Sequence, residues 1–250
     1  MRFAALHAAA LAAALLTGCA ADSPLALSAV GASIDQPRFD PFGQTDAVAA
    51  GRREVIQNPT LEEVMKPGPL PEMALGRPDA PVTLIKYASL TCPYCRQFQL
   101  TTFPQLKREY IDTGKVRFII REFPIGFQSG AATIALRCVP PNKYFELYEK
   151  FLTQQGSWVS QEVRRDPIFK VAAQSGLSRA QFDACYENQA MIQALNQVKE
   201  RGRTLGVIGT PNFFVNGRLV KTVIGMKEIR EMVDPIIAGR GTPAKATASN

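Results

Sequence analysis

The stretch that decides the fold is VTLIKYASLTCPYC, residues 82–95. Its first seven residues, Val82–Ala88, are mostly apolar, as is typical of a strand buried on both faces of a sheet. Pro93 follows at a position where the first turn of a helix tolerates proline. The stretch therefore predicts a strand that leads directly into a helix, with Cys92 and Cys95 at the junction.

The residues that follow predict the rest of a βαβ unit. The helix is expected to run to about Asp112, with a bend near Pro104. Thr113-Gly114-Lys115 then turns the chain into a second apolar strand, Val116–Arg121. A crossover of this kind is right-handed, so the two strands should lie parallel.

The second half of the chain predicts helices and then a hairpin. Residues 128–206 carry apolar side chains at helical spacing and predict four or five helices with no strand. The sequence FFVNGRLV, residues 213–220, joins two apolar runs by Asn-Gly, a strong hairpin signal. An amphipathic helix is expected at Met226–Ala238, and a short strand at Met73–Leu75 precedes the βαβ unit. The predicted order is βαβ, a helical insertion, and ββα.

The N-terminus predicts export. Arg2 leads into an Ala/Leu-rich stretch that ends at Leu16, which is too short for a membrane-spanning helix. The sequence Leu-Thr-Gly-Cys, residues 16–19, resembles the lipobox of bacterial lipoproteins, in which the cysteine receives diacylglycerol. An ordinary cleavage site of small residues is the alternative. We expect residues 1–18 to be a signal peptide and Cys19 to anchor a periplasmic lipoprotein, with Ala20 favouring the outer membrane.

Two segments are predicted to lie outside the folded part. Residues 20–50 are rich in Ala, Ser, Pro, Gln and Gly, so we expect 19–69 to be a flexible tether. Short helical turns are expected within it at Glu54–Ile56 and Leu61–Met65. The C-terminal residues 239–250 are expected to be disordered.

The composition excludes several chemistries. The 250-residue chain has a formal charge of +7 and one histidine. Loss of residues 1–18 removes Arg2 and that histidine, His7, which lowers the charge to +6. A mature chain without histidine cannot assemble a Ser-His-Asp or Cys-His nucleophile or a histidine-containing zinc site. The basic residues at 199, 201 and 203 are interpreted as a solvated helix face, and we expect no nucleic-acid partner.

The five cysteines point to thiol chemistry. If Cys19 carries lipid, four remain and three pairings are open. A Cys-x-x-Cys motif at the start of a helix predicts a redox pair, because unpaired amides and the helix dipole lower a thiol's pKa. Cys92 is then the exposed nucleophile and Cys95 the buried resolving thiol. An inert disulfide is the alternative.

Three motifs resemble those of one known family. They are YASLTCPYC (87–95), REFP (121–124) and TPNFFVNG (210–217). Together they are similar to the DsbA family of bacterial thiol oxidases, particularly its alphaproteobacterial members, over about residues 70–238. The resemblance implies a thioredoxin-like α/β domain formed by residues 70–127 and 207–238, with residues 128–206 as an inserted all-helical subdomain.

The same resemblance implies roles for individual residues. Pro211 should follow a cis peptide bond and face the cysteines, leaving the backbone of Thr210 free to bind an extended substrate. Pro93 and Tyr94 should tune the stability of the reduced form. Strongly oxidising members usually carry histidine where this chain has Tyr94, so we expect a milder oxidant. Threonine before the proline is also found in isomerase and reductase branches.

Cys138 and Cys185 remain as a second pair, an arrangement that some alphaproteobacterial relatives resemble. We favour a structural disulfide, which would stabilise the fold by about 3–4.5 kcal/mol. Two buried free thiols and a second, regulatory redox pair are the alternatives.

The leading hypothesis is a protein that introduces disulfides into exported polypeptides. The resemblance implies that a DsbB-type membrane partner reoxidises it. The alternatives are a disulfide isomerase or reductase, a lipoprotein that binds Cu(I) through the two thiolates, and an inert scaffold. We expect a monomer and no metal or organic cofactor.

Overall fold

The computed structural model describes residues 54–239 of the chain. The strands within this range are Met73–Leu75 (β1), Val82–Ala88 (β2), Val116–Glu122 (β3), Asn212–Val215 (β4) and Arg218–Val220 (β5). The α-helices are Leu61–Met65 (α1), Pro93–Thr101 (α2), Phe103–Leu106 (α3), Phe127–Cys138 (α4), Tyr144–Thr153 (α5), Gln155–Trp158 (α6), Arg165–Ala172 (α7), Arg179–Cys185 (α8), Gln189–Thr204 (α9) and Met226–Ile237 (α10). The predicted signal peptide, Cys19 and residues 240–250 of the predicted tail lie outside the described residues.

The five strands form one mixed sheet in the order β1-β3-β2-β4-β5. β2 and β3 are parallel, with Val82 opposite Val116 and Ala88 opposite Glu122. The other neighbours pair antiparallel. The predicted βαβ and ββα units are confirmed, and β2 lies at the centre of the sheet. Its carboxyl end leads to Cys92.

The central strand β2 is buried on both faces, as its apolar sequence predicted. Leu84 packs in the large core that also contains α2 and most of the helical insertion. Ile85 and Tyr87 pack on the opposite face, in a second cluster that includes Phe214. A central strand with two packed faces has little freedom to shift, which fixes the start of α2.

The helix after β2 is interrupted near Pro104, as predicted. α2 ends at Thr101, and α3 begins at Phe103 with the proline in its first turn. Proline has no N–H to donate to the preceding turn, so one continuous α-helix would lose a hydrogen bond there. A π-helical segment, Lys107–Ile111, then completes the crossover to β3.

The region between β3 and β4 contains six α-helices, α4 to α9, rather than the predicted four or five. α6 has only four residues and is separated from α5 by Gln154 alone. A helix this short shows no apolar period, so the sequence pattern did not resolve it.

The predicted boundary of the helical insertion at residue 206 is too late, because α9 spans both parts of the molecule. Ile192 and Leu195, near its start, belong to the large core. Gly202, near its end, lies against β2, where an added Cβ would stand 2.7 Å from Cε1 of Tyr87. The second half of α9 therefore packs on the sheet.

The predicted hairpin forms with Asn216 and Gly217 at its turn. Both have positive φ, 43° and 89°, as the tight turn requires. The Asn216 side chain also accepts a hydrogen bond from the Thr83 amide at 2.7 Å. This contact ties the turn to the amino-terminal end of β2.

The predicted tether extends too far toward the domain. Within residues 54–69, α1 forms as predicted, with Thr60 as its capping residue, and Val64 is fully buried. Glu54–Ile56 is not helical; instead the Ile56 amide donates to Thr204 O at 2.9 Å. One buried valine and backbone pairing attach this segment to the domain.

Cys138 and Cys185 are joined by a disulfide, with their Cα atoms 6.2 Å apart. Cys138 ends α4 and Cys185 ends α8. Both side chains pack against the large core. The bond therefore joins two helices of the insertion, far along the chain from the Cys-x-x-Cys motif.

We predict that replacing both cysteines of this bond by serine lowers the free energy of unfolding by about 4 kcal/mol, because the bond closes a loop of 47 residues. Urea denaturation of the oxidised proteins measures the difference. An unchanged midpoint would show that the bond does not restrict the unfolded chain.

Candidate active site

Cys92 is the N-cap residue of α2. Its backbone is extended, with φ −74° and ψ 121°, and its Sγ accepts a hydrogen bond from the Cys95 amide at 3.3 Å. Pro93 occupies the first helical turn, where its missing N–H costs no hydrogen bond. The thiol sulfur thus takes the place of a capping oxygen at the positive end of the helix.

This position stabilises the thiolate of Cys92. Hydrogen bonding from Cys95 is the largest cause, and Thr210 and the backbone amides of Cys95 and Tyr94 add to it. Partial burial opposes the effect, but the pKa of Cys92 still falls to about 5. The side chain is half-buried. It is therefore ionised at neutral pH and accessible enough to react.

Cys95 has the opposite properties. It is fully buried one turn into α2. Burial is the main cause that raises its pKa well above the ordinary value, and the neighbouring Cys92 raises it further. Two thiols of one motif are thus held in different protonation states. This is the division expected between an attacking and a resolving thiol.

The loop before β4 faces Cys92. The Thr210–Pro211 peptide bond is cis, and the Cys92 Sγ lies 3.2 Å from Thr210 O. Thr210 therefore lies beside the nucleophile, and Pro211 follows the cis bond that the resemblance implied. The thiol form of Cys92 donates to this carbonyl.

Tyr94 projects away from the protein, with 57% of its surface exposed. It occupies the position between the cysteines where a cation would stabilise the thiolate further. The hydrogen bonds named above lower the pKa of Cys92 although residue 94 carries no cation.

Sequence reasoning missed Gln155, which belongs to the helical insertion. Its side-chain amide donates to Leu90 O at 2.7 Å and to Cys92 O at 3.1 Å. No local pattern marks this residue, because the contact spans more than 60 positions. It fixes the loop that carries Cys92 against α6.

Sequence reasoning also missed Lys86, which lies in the middle of β2 and is fully buried. Its Nζ is 3.4 Å from Cys95 O and 4.4 Å from the centre of the Phe98 ring. A charged residue inside an apolar strand was the available signal, since lysine is almost never fully buried.

The described residues contain no cluster of three or more histidine, cysteine or carboxylate side chains that could hold a metal ion. Among the same residues, no helix combines the length and apolar character needed to cross a membrane.

We predict that the Cys92 thiol titrates with a midpoint near pH 5 in the reduced protein, because hydrogen bonds at the helix start favour the thiolate. Ultraviolet absorbance of the thiolate, followed from low to neutral pH, measures this midpoint. The transition should disappear in Cys92→Ser. A midpoint near the ordinary cysteine value would show that the helix start does not activate this thiol.

The sheet order, the Cys-x-x-Cys motif at the helix start and the opposed cis proline define a thioredoxin-fold redox protein. A family model described as "Thioredoxin" matches residues 70–235, and the chain belongs to that family, in its DsbA-like branch. The chain is 32% identical over 178 residues to a Rickettsia conorii protein named "Putative protein-disulfide oxidoreductase". That match covers 70% of this chain but only 64% of the Rickettsia protein.

Two solved structures share the fold. Alpha-DsbA1 of Wolbachia pipientis is 28% identical with a TM-score of 0.66, and the match covers 72% of this chain and 98% of that one. Oxidised BdbD of Bacillus subtilis is 21% identical with a TM-score of 0.63, over 74% of this chain and 99% of the other. At that identity the second likeness concerns the fold alone.

Proposed function

We propose that this protein is a thiol–disulfide oxidoreductase that oxidises cysteine pairs in exported polypeptides through Cys92 and Cys95. The observation that carries the proposal is the pair of unlike thiols, one ionised at the start of α2 and one protonated inside it. The names of the Rickettsia and Wolbachia relatives support the same chemistry.

The proposed reaction begins with Cys92 and Cys95 joined as a disulfide. A substrate thiolate attacks Sγ of Cys92, forming a mixed disulfide and releasing Cys95, which takes up a proton. A second substrate thiolate attacks the substrate sulfur of that mixed disulfide and releases Cys92 as a thiolate. The substrate loses two electrons and gains a disulfide, and the enzyme gains the two electrons as a dithiol.

An apolar rim around Cys92 supports a polypeptide substrate. It consists of four exposed side chains: Tyr94, Ile125, Val159 and Ile208. Each belongs to a segment that touches the cysteine loop or the cis-proline loop. For example, Ile125 O lies 3.5 Å from the hydroxyl of Thr91, and Val159 follows the helix that contains Gln155.

An apolar rim of this kind favours the binding of unfolded polypeptides. Exposed apolar side chains near a reactive group favour contact with substrate segments that have not yet buried their own apolar surface. Ile208, 76% exposed and two residues before Thr210, is the most prominent member.

The direction of the reaction rests on the stabilised thiolate. A hydrogen-bonded Cys92 thiolate lowers the free energy of the reduced form, and a disulfide whose reduced form is stabilised is an oxidant. Tyr94 supplies no cation, so we still expect a milder oxidant than members with histidine there. The isomerase or reductase alternative requires a pair that stays reduced, and Thr210 before the proline is the residue that favours it.

Equilibration with mixtures of reduced and oxidised glutathione tests the direction. Acid quenching and thiol labelling then measure the reduced fraction of Cys92 and Cys95. We expect the pair to become reduced in mildly reducing mixtures, as an oxidant does. A disulfide that resists such mixtures would contradict the oxidase proposal, and the absence of any exchange would contradict both alternatives.

We also infer that the protein works outside the cytoplasm, anchored through lipid on Cys19 and reoxidised by a DsbB-type membrane partner. The lipobox-like sequence at residues 16–19 and the disulfide between Cys138 and Cys185 support this location, because disulfides persist in oxidising compartments. Fatty-acid labelling that is lost in Cys19→Ala tests the anchor. Labelling that persists in that variant would contradict it.

A further inference from the structure

Lys86 is a buried cation, and the reaction described above gives it no role. Its side chain is fully inaccessible, and no carboxylate among residues 54–239 forms an ion pair with it. A buried ammonium without a counter-charge is costly, and a lysine so placed tends to give up its proton. We therefore expect the buried ammonium of Lys86 to have an interaction that offsets this cost.

The surroundings of Lys86 are aromatic on two sides. Its Nζ lies 4.4 Å from the centre of the Phe98 ring and 5.6 Å from that of Tyr148. Cation–π contacts favour the charged form, but each is weak compared with the cost of burying a charge. They offset part of the burial cost, and the Tyr148 hydroxyl itself has no hydrogen-bond partner among the described residues.

The remaining neighbour of Lys86 is the cysteine pair. The ammonium lies 3.4 Å from Cys95 O, so it stands against the first turn of α2. The ionisable groups that face it are Cys92, which caps α2, Cys95 within α2, and Tyr148 of α5. Its strand neighbours Ile120 and Phe213 carry no charge. The thiols are thus the groups that can supply a negative charge.

We propose that Lys86 is the counter-charge of the Cys92–Cys95 pair, and that its ammonium stabilises the reduced form over the disulfide. This proposal rests on the exchange reaction proposed above. Lys86 does not touch the substrate, so it is a positioning residue. A disulfide carries no charge, whereas the reduced pair provides the negative charge of the Cys92 thiolate, which interacts electrostatically with Lys86.

The proposal links a proton to the two electrons. When the disulfide is reduced, one proton goes to Cys95 and Cys92 remains a thiolate. Oxidation of the two substrate thiols releases two protons, and Cys95 takes one. If Lys86 is a neutral amine in the disulfide form, it takes the other proton as the pair is reduced. The pKa of Lys86 is lowered to about 8, because the effect of burial exceeds the opposing effect of the two cysteines. Loss of the thiolate on oxidation should therefore lower the pKa of Lys86 further.

Lys86→Met tests the proposal, because methionine has a similar length and carries no charge. We expect the pKa of Cys92 to rise by about one unit, and the equilibrium constant with glutathione to shift about tenfold toward the disulfide. Leu84→Met, two residues earlier on the same face of β2, is the matched control for repacking and should change neither value.

A folded Lys86→Met with the wild-type thiol pKa and glutathione equilibrium would overturn the proposal. The wild-type protein in the same assay reports separately whether Cys92 and Cys95 exchange at all, so the two failures are distinguishable. A second measurement uses the wild type alone. NMR titration of the Lys86 side chain should give a higher midpoint in the reduced than in the oxidised protein, and equal midpoints would also overturn the proposal.

Discussion

Cys92→Ser should lower the rate at which the oxidised protein forms a disulfide in a reduced two-cysteine peptide by at least about 1,000-fold, because a hydroxyl can neither form a disulfide nor ionise at neutral pH. The remaining thiol, Cys95, is buried, and its pKa is raised. Cys95 alone cannot form the intramolecular disulfide that the substrate thiolate attacks. Peptide oxidation followed by mass spectrometry gives the rate.

The matched control removes two cysteines that lie outside the site. A Cys138→Ser/Cys185→Ser variant should retain the peptide-oxidation rate, since that disulfide joins α4 to α8. Loss of activity in the control, or its retention in Cys92→Ser, would show that the reacting thiol has been misassigned.

Glu122→Gln should lower the free energy of unfolding by about 3–5 kcal/mol, because it leaves a buried guanidinium without its partner. Glu122 is 3% exposed, and its Oε2 lies 2.8 Å from Nη2 of Arg137. The Tyr144 hydroxyl also donates to Glu122, at 2.7 Å. These contacts join the end of β3 to α4 and α5. Urea denaturation measures the loss.

Glu146→Gln provides the matched control at a partly exposed site. Glu146 pairs with Lys143 and Lys150 on the surface of α5. Exposed pairs contribute about 0–1 kcal/mol, so this variant should remain near the wild type. Equal losses in the two glutamine variants would mean that burial does not decide the strength of these ion pairs.

Local patterns were sufficient to predict the sheet and the two reacting thiols. β2 could be predicted because its residues are continuously apolar, and the hairpin because Asn216 and Gly217 accept positive φ. Cys92 and Cys95 lie three positions apart within a single turn of helix. Their unlike environments follow from that placement alone.

The features that could not be predicted depend on contacts between distant segments. Gln155 reaches the cysteine loop from a helix of four residues that has no apolar period. Glu122 and Arg137 form their ion pair across 15 positions, and no sequence pattern indicates that they meet. Lys86 was visible as a charge within an apolar strand, but the sequence did not indicate that it faces the thiols.

The most direct test of the central claim is covalent trapping by Cys95→Ser in cells. Without the resolving thiol, Cys92 should remain bound to substrate sulfur, giving mixed disulfides that a reductant releases and that the Cys92→Ser/Cys95→Ser variant lacks. Mass spectrometry of the trapped proteins would identify the substrates. If Cys95→Ser captures nothing, or if capture continues without Cys92, the account of this site is wrong.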